Sequence, residues 1–153
     1  MKFIADAMLG RLAKWLRFLG IDVLYYSDIE DRQIIRIAKE QGRTILTRDT
    51  GFLRRKGLKD CIFIKSDNVF EQLSELRERI GLDKCIQDRR CPICNGVFFI
   101  VSAKEEIREF VPDHVYRNHN SFMKCSDCCK VYWEGTHHQR IREKMSDIIG
   151  RNN

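Results

Sequence analysis

The sequence lacks long apolar runs and has only two prolines among its 153 residues. No stretch approaches the ~20 apolar residues that cross a bilayer, so we expect no membrane-spanning segment and no membrane partner. The first six residues, MKFIAD, already include a carboxylate and leave no room for the apolar core of a signal peptide. We therefore expect a cytoplasmic protein.

Two patterns of catalytic chemistry are also missing. The sequence has no serine or cysteine nucleophile motif and no glycine-rich loop of the kind that cradles phosphate groups.

Acidic residues are fewer than basic ones. The chain has 22 aspartates and glutamates and 28 lysines and arginines, which gives a net charge of +6. This excess favours a polyanionic partner such as a nucleic acid without requiring one.

Short apolar runs alternate with segments of helical periodicity in the first half of the chain. The apolar runs are residues 2–5, 22–25, 44–47 and 61–65, and the helical segments are residues 8–19, 31–41 and 68–80, the last one capped by Asp67. Strands that alternate with single helices favour parallel pairing and right-handed crossovers. This pattern predicts an α/β fold, a three-layer sandwich with a parallel sheet between helices.

The pattern changes after Gly81. Short strand-like runs occur at residues 97–101 and 131–133, and a helical tail spans about residues 138–149. We place a boundary near residues 83–90, which gives one domain at residues 1–83 and a second at residues 84–153.

The seven cysteines are concentrated in the second part. An odd number without a secretion signal argues against a disulfide framework. Cys91 and Cys94 form one Cys-x₂-Cys pair, and Cys125 and Cys128 form another after thirty intervening residues. Two such turns complete a tetrahedral zinc site closed to solvent, so we predict one structural zinc per chain. Two alternatives remain open: Cys129 replaces Cys128, or the four thiols are buried without metal. A hairpin or a helix near residues 104–110 would fill the thirty-residue insert.

Acidic residues follow each of the four predicted strands. In a parallel sheet the carboxyl ends of the strands meet at one edge, where clustered carboxylates would repel one another unless a cation lay among them. Oxygen ligands of this kind suit Mg²⁺ or Mn²⁺, which serve phosphodiester hydrolysis. The same residues also fit helix capping, so both interpretations remain open. The residues are Asp6, Asp28, Glu30, Asp31, Asp49 and Asp67.

Basic and aromatic residues supply candidate RNA contacts. They are Arg11, Lys14 and Arg17, which recur every three residues on the side of the first helix expected to be exposed, Arg48 beside Asp49, and Trp133, His137 and Arg140 in the second part. A solvated helix face equally explains the first group. Packing in the core of the small domain equally explains Trp133 or its neighbour Tyr132.

Several segments together resemble a known family. They are FIADAMLGRLAKWLR at residues 3–17, DIED at 28–31, ILTRD at 45–49, the first cysteine pair, and VYWEGTH at 131–137. Over nearly the whole chain they resemble the Mut-seven C-terminal ribonuclease domain family, which joins a PIN-like nuclease fold to a zinc ribbon. The resemblance implies a Mg²⁺- or Mn²⁺-dependent ribonuclease in which Asp6, Asp31 and Asp49 bind the cation, with Asp28 as a weaker fourth candidate.

Three functions are consistent with these residues. The first is a metal-dependent ribonuclease acting on RNA, ribosomal RNA included. The second is a non-catalytic RNA- or ribosome-binding protein whose carboxylates are caps. The third is a toxin-like PIN nuclease held by a partner. Metal dependence separates the first from the second, because binding alone tolerates the loss of a weak cation site.

Overall fold

The computed structural model describes residues 1–55 and 58–135, with Asp83 described by its backbone alone. The chain forms two compact units, Met1–Asn95 and Gly96–Asn153. This division lies beyond the predicted boundary near residues 83–90. The reason is local, because the backbone amides of Gln87 and Arg90 bind the carbonyls of Gly20 and Arg17 and so hold this segment in the first unit.

A four-stranded parallel sheet forms the centre of the first unit. Its strands are β1 (Phe3–Ala5), β2 (Val23–Tyr25), β3 (Thr44–Thr47) and β4 (Cys61–Phe63), in the order β2-β1-β3-β4. Phe3 lies opposite Val23 and Thr44, and Ile45 lies opposite Cys61. The predicted α/β class with a parallel sheet is confirmed.

Four helices follow the strands. They are α1 (Gly10–Phe18), preceded by a 3₁₀ turn at Ala7–Leu9, α2 (Asp31–Gln41), α3 (Thr50–Leu53), and α4 (Val69–Ile80), followed by a 3₁₀ turn at Leu82–Cys85. Helix α2 has the predicted bounds because both ends are encoded locally. A capping box between Glu30 and Gln33 begins it, and Gly42 ends it with a φ of 61°.

The predicted cap of α4 is wrong by one residue. Asn68, and not Asp67, accepts hydrogen bonds at its side-chain Oδ1 from the backbone amides of Phe70 and Glu71. Both residue types cap helices well, so composition alone could not choose between neighbours. The hydrophobic register decides, because Val69 is the first buried residue of the helix.

Helices cover the sheet and bury its apolar side chains. Helix α2 packs on β1 and β3, and α1 contacts α4, where the rings of Trp15 and Phe70 lie 5.9 Å apart. The sheet is thus flanked by helices as predicted, whereas the PIN-like arrangement of the layers stays a prediction. One buried cluster comprises Ile4, Ile34, Ala38, Ile45 and Phe52.

The second unit contains an antiparallel sheet of three strands, β5 (Phe98–Ile100), β6 (Phe122–Cys125) and β7 (Val131–Trp133). Between β5 and β6 lie a 3₁₀ segment at Lys104–Phe110 and the helix α5 (Asp113–Asn118), so the predicted helical excursion is present. Strand β6 was not predicted, because four residues ending in a cysteine give no alternation to recognise. The buried core of the second unit comprises Ile107, Val111, Val115 and Phe122.

Two predictions concern helices. The tail helix at about residues 138–149 lies outside the described residues. Among the helices that the structure describes, none is both long enough and apolar enough to cross a membrane.

The cap assignment gives a first testable prediction. Replacing Asn68 by Ala should lower the free energy of unfolding by about 1 kcal/mol, because two amides at the start of α4 lose their acceptor. Asp67→Ala is the matched control and should change stability by less than about 0.5 kcal/mol. Urea denaturation of both variants measures the difference. Equal losses in the two variants would contradict the assignment.

Candidate functional site

Asp6 occupies the centre of the predicted acidic edge. It follows β1, and only 5% of its surface is exposed. Its Oδ1 accepts a hydrogen bond from the backbone amide of Met8 at 2.8 Å. Its Oδ2 accepts hydrogen bonds from the hydroxyl of Thr47 and, at 2.9 Å, from the backbone amide of Arg48. The carboxylate therefore begins the turn before α1 and also ties the end of β1 to the end of β3.

Asp49 is linked to Asp6 through one hydroxyl. The backbone amide of Asp49 donates to Thr47 Oγ1 at 2.9 Å, and that hydroxyl donates to Asp6. The Asp49 side chain is exposed and caps α3, with Oδ1 accepting from the amide of Gly51 at 2.7 Å. Sequence reasoning missed Thr47. Its signal was the Thr-x-Asp spacing, in which a hydroxyl can bind the amide two residues later.

Asp31 and Asp28 lie beyond the end of β2. Asp31 is in the first turn of α2 and forms an ion pair with Arg55, with 2.7 Å between Oδ2 and Nη2. Both side chains of that pair are about two-fifths exposed, so water screens it. Asp28 is exposed in the loop between β2 and α2.

The sheet order brings these carboxylates to one edge. Because β1 lies between β2 and β3, the carboxyl ends of the three strands lie side by side. Within the described ranges, however, no three carboxylates have oxygens within 4.8 Å of one another. Capping therefore describes Asp6 and Asp49 as they stand. A carboxylate has about four acceptor positions, and Asp49 uses one of them and Asp6 three, so both keep capacity for a cation.

The candidate RNA contacts divide into exposed and buried residues. Arg11 and Lys14 are exposed on α1. The prediction that Arg17 shares their face is wrong, because it is only 4% exposed. A helix has 3.6 residues per turn, so a spacing of three drifts around the helix and carries Arg17 to the inner side. Burial lowers the pKa of Arg17, and the neighbouring Cys94 and Cys91 oppose that shift.

The remaining candidate contacts lie in different surroundings. Arg48 is partly buried, and its Nε is enclosed without a hydrogen-bond partner in the part of the chain that the structure describes. Trp133 packs against the core of the second unit, which favours the core interpretation over a base-stacking platform. His137 and Arg140 lie outside the described residues.

Cys61, the first residue of β4, interacts electrostatically with Asp6. Burial raises its pKa, and the negative charge of Asp6 raises it further. A raised pKa keeps the thiol protonated, and a protonated thiol is a poor nucleophile.

The four paired cysteines form a cluster that can hold a metal such as zinc. The Sγ atoms of four cysteines all lie within 4.8 Å of one another, and these cysteines are Cys91, Cys94, Cys125 and Cys128. Cys91 and Cys125 are fully buried, as a closed structural site requires. Four thiolates are the ligand set of structural zinc sites, so the donor chemistry fits the predicted ion. Exposed Cys129 is not part of the cluster, which favours Cys128 as the ligand.

Both cysteine pairs adopt the same kind of turn. The amide of Asn95 donates to Cys91 O at 2.9 Å, and the amide of Cys129 donates to Cys125 O at 3.2 Å. Asn95 and Cys129 both have positive φ, at 70° and 59°. The turns thus repeat one geometry, and Asn95 tolerates it better than Cys129 does.

Gly96 is a further residue that sequence reasoning missed. A Cβ at this position would lie 2.8 Å from Cys125 Sγ and from the carboxylate of Asp127. Only glycine leaves room beside that sulfur atom. The signal in the sequence was a glycine two residues after the first cysteine pair.

The comparison with protein families decides the identity. The family model described as the Mut7-C RNAse domain matches residues 1–145, which include every predicted carboxylate and all four clustered cysteines. The chain belongs to the Mut7-C RNAse domain family. No curated protein and no solved structure matches it. The resemblance in the sequence is thereby confirmed, and membership of this family indicates a ribonuclease, a hydrolase with RNA as its substrate.

The cysteine cluster of this Mut7-C protein gives a second prediction. We expect about one zinc per purified chain by elemental analysis. Cys125→Ser should lose the metal because it removes a buried ligand, whereas Cys129→Ser should keep it. Loss of zinc in the Cys129 variant would move the ligand assignment to that residue.

Proposed function

We propose that this Mut7-C protein is a Mg²⁺- or Mn²⁺-dependent ribonuclease that hydrolyses phosphodiester bonds of single-stranded RNA in RNA processing or decay. Asp6, Asp31 and Asp49 would hold the cation, with Asp28 as a fourth candidate. The nuclease site lies in the first part, predicted as residues 1–83, and a zinc ribbon with a structural zinc lies in residues 84–153. The observation that carries the proposal is the sheet order, which places the carboxyl ends of β2, β1 and β3 side by side.

The residues at this edge have distinct tasks. When bound, the cation supplies an activated water and neutralises negative charge at phosphorus. Asp6 is buried and held by three hydrogen bonds, so its position is fixed before RNA arrives. Asp49 is exposed and reaches solvent from the cap of α3.

Asp31 already has a positively charged partner. Arg55 Nη2 lies 2.7 Å from Asp31 Oδ2, so a cation that bound this oxygen would displace Arg55. The released guanidinium can then bind an RNA phosphate, since arginine matches the geometry of phosphate oxygens. Arg48 supports the same location, because its Nε is enclosed and has no acceptor among the described residues. A phosphate oxygen beside Asp6 and Asp49 would supply one.

One observation favours the rival function. Asp6 and Asp49 both act as helix caps, which is the arrangement expected for a non-catalytic RNA- or ribosome-binding protein. Capping and metal binding use different oxygen positions, so the two roles are compatible in one residue. An activity assay must therefore separate them.

Asp49→Asn separates capping from metal binding and is the third prediction. Asparagine keeps an oxygen for the amide of Gly51 but removes the negative charge, so the helix cap survives and the cation loses a ligand. Cleavage of a labelled single-stranded RNA in Mn²⁺ should fall by orders of magnitude, about 100-fold or more, while melting temperature and zinc content stay unchanged. A chelator should abolish wild-type cleavage.

Asp67→Asn is the matched control because it removes an exposed carboxylate that follows β4. It should cleave as fast as the wild type. Asp6→Asn is a poor test, since its amide nitrogen could face two hydrogen-bond donors and destabilise the fold. Equal cleavage by wild type and Asp49→Asn would contradict the catalytic assignment, and wild type inactive on every RNA tried would favour the binding protein.

The exposed face of α1 gives the fourth prediction. Arg11→Ala with Lys14→Ala should weaken RNA binding and flatten its salt dependence, because each lost phosphate contact lowers the slope by about 0.7. Binding is measured without divalent cations over a range of salt concentrations. Arg36→Ala with Lys39→Ala removes the same charge from the exposed face of α2 and serves as control. Identical slopes in both double variants would indicate that Arg11 and Lys14 form a solvated helix face and do not contact RNA.

A further inference from the structure

The turn formed by Cys91–Asn95 is part of the first unit. The preceding segment is hydrogen-bonded to the connection between α1 and β2, where Gln87 N donates to Gly20 O at 3.0 Å. The approach is close, because a Cβ on Gly20 would lie 2.7 Å from that Gln87 carbonyl oxygen. Gly20 also has a φ of 88°, so the contact depends on glycine twice.

The side chain of Arg17 holds this turn in place by hydrogen bonds to the backbone carbonyl groups of the turn. Its Nη1 donates to Ile93 O at 2.9 Å and to Pro92 O at 3.2 Å, while its Nε donates to Val23 O at 2.8 Å. One buried guanidinium thus joins the residues between the two cysteines to the first residue of β2. Lysine could not replace this contact, because a single ammonium lacks the planar set of donors.

Asn95 fixes the same turn by its side chain. Its Oδ1 accepts a hydrogen bond from the backbone amide of Val23 at 3.1 Å, and its Nδ2 donates to Asp22 Oδ1 at 2.8 Å. The Asn95 carbonyl accepts from Arg90 at 3.0 Å. The residue that completes the first cysteine turn therefore also completes the hydrogen bonding at the start of β2.

The positive charge beside this turn favours thiolates. The guanidinium of Arg17 interacts electrostatically with Cys94, Cys91 and Asp22. Arg43 and Arg90 lie 2.7 and 3.6 Å from Asp22 and offset its negative charge. Four thiolates with one divalent cation carry two negative charges, so the positive charge of Arg17 would stabilise a centre of this kind.

We propose that Arg17 and Asn95 couple metal binding at the four-cysteine site to the folding of the first unit, so that metal loss loosens the start of β2. The four-cysteine cluster then does more than hold its own turns together. It stabilises the sheet that carries the candidate nuclease site. The proposal goes beyond the ribonuclease activity and does not depend on it.

The residues that couple the cysteine turn to the sheet lie at the end of the sheet opposite to the acidic edge. Asp22, Arg43 and Asn95 meet at the amino ends of the strands, where Arg43 Nη1 also donates to Phe3 O at 3.1 Å. The carboxylates follow the carboxyl ends, about 10 Å away along strands of three or four residues. Arg17 and Asn95 are thus positioning residues that cannot touch a substrate held at the acidic edge.

The two positive-φ positions provide a matched test on the full chain. Asn95→Gly keeps the backbone conformation and removes only the side-chain amide that binds Val23 and Asp22. Cys129→Gly places glycine at the equivalent position of the second turn and removes an exposed thiol that is not part of the cluster. Zinc release is measured with a colorimetric chelator, and exchange of the Val23 amide is measured by NMR with and without zinc.

We expect Asn95→Gly to release zinc about 10-fold faster than the wild type or more, because lost outer-shell contacts typically weaken metal affinity about 10- to 100-fold. Cys129→Gly should stay within about twofold of the wild type, since glycine accepts its backbone conformation more readily. In the wild type, removing zinc should accelerate exchange at Val23, whereas Asn95→Gly should exchange fast at Val23 in both states. Equal release rates in the two variants, or a Val23 amide indifferent to zinc in the wild type, would overturn the proposal. No RNA is cleaved in this experiment, so its outcome is independent of the proposed ribonuclease activity.

Discussion

The first unit depends on the interactions of the buried Asp22 carboxylate with Arg43, Arg90 and Asn95. Burial would raise its pKa, but hydrogen bonds from Arg43 and Asn95 and the charges of Arg43 and Arg90 outweigh burial and hold the pKa below its usual value. A charge enclosed without partners is strongly destabilising, so these residues must assemble together. Because the pKa is lowered on folding, this contribution is present above the unfolded value of about 3.8 and is lost as the pH falls through the folded value. Acid therefore weakens the amino ends of the strands.

Helix α1 connects this network to the acidic edge. The turn before it is capped by Asp6, and its last turn contains Arg17. Between them the helix presents Arg11 and Lys14 to solvent and buries Leu12, Ala13 and Leu16. One helix thus carries a candidate cation ligand at one end and the guanidinium that binds the cysteine turn at the other. The helix itself sets the distance between the two ends, since it has nine residues and each adds about 1.5 Å along the axis.

The sequence predicts the features of this fold that are local. Alternation of apolar runs and helical segments predicts the parallel sheet and the bounds of α2, and the spacing of the cysteine pairs predicts the cluster. The acidic edge follows from the strand order of an α/β fold, although the order itself was not predicted. The burial of Arg17 could not be read from the sequence, because its partners Pro92 and Ile93 lie some 75 residues away. Thr47 and Gly96 have local signals in the sequence, but their contacts with Asp6 and Cys125 join residues that are distant in sequence.

The position of Asn95 at the end of the first unit bears on how the chain can be divided or recombined. A fragment ending at residue 83 would keep Arg17, Asp22 and Val23 but lose the carbonyls of Pro92 and Ile93 that accept from Arg17 and the Asn95 side chain that binds Asp22 and Val23. The cost would be several buried polar groups without partners, at about 1–3 kcal/mol each. A hybrid in which a foreign cysteine module began at residue 84 would have the same defect unless it supplied an asparagine and an arginine at the places of Asn95 and Arg90. The natural exchange point is therefore after Asn95, inside the motif that looks like the start of a separate module.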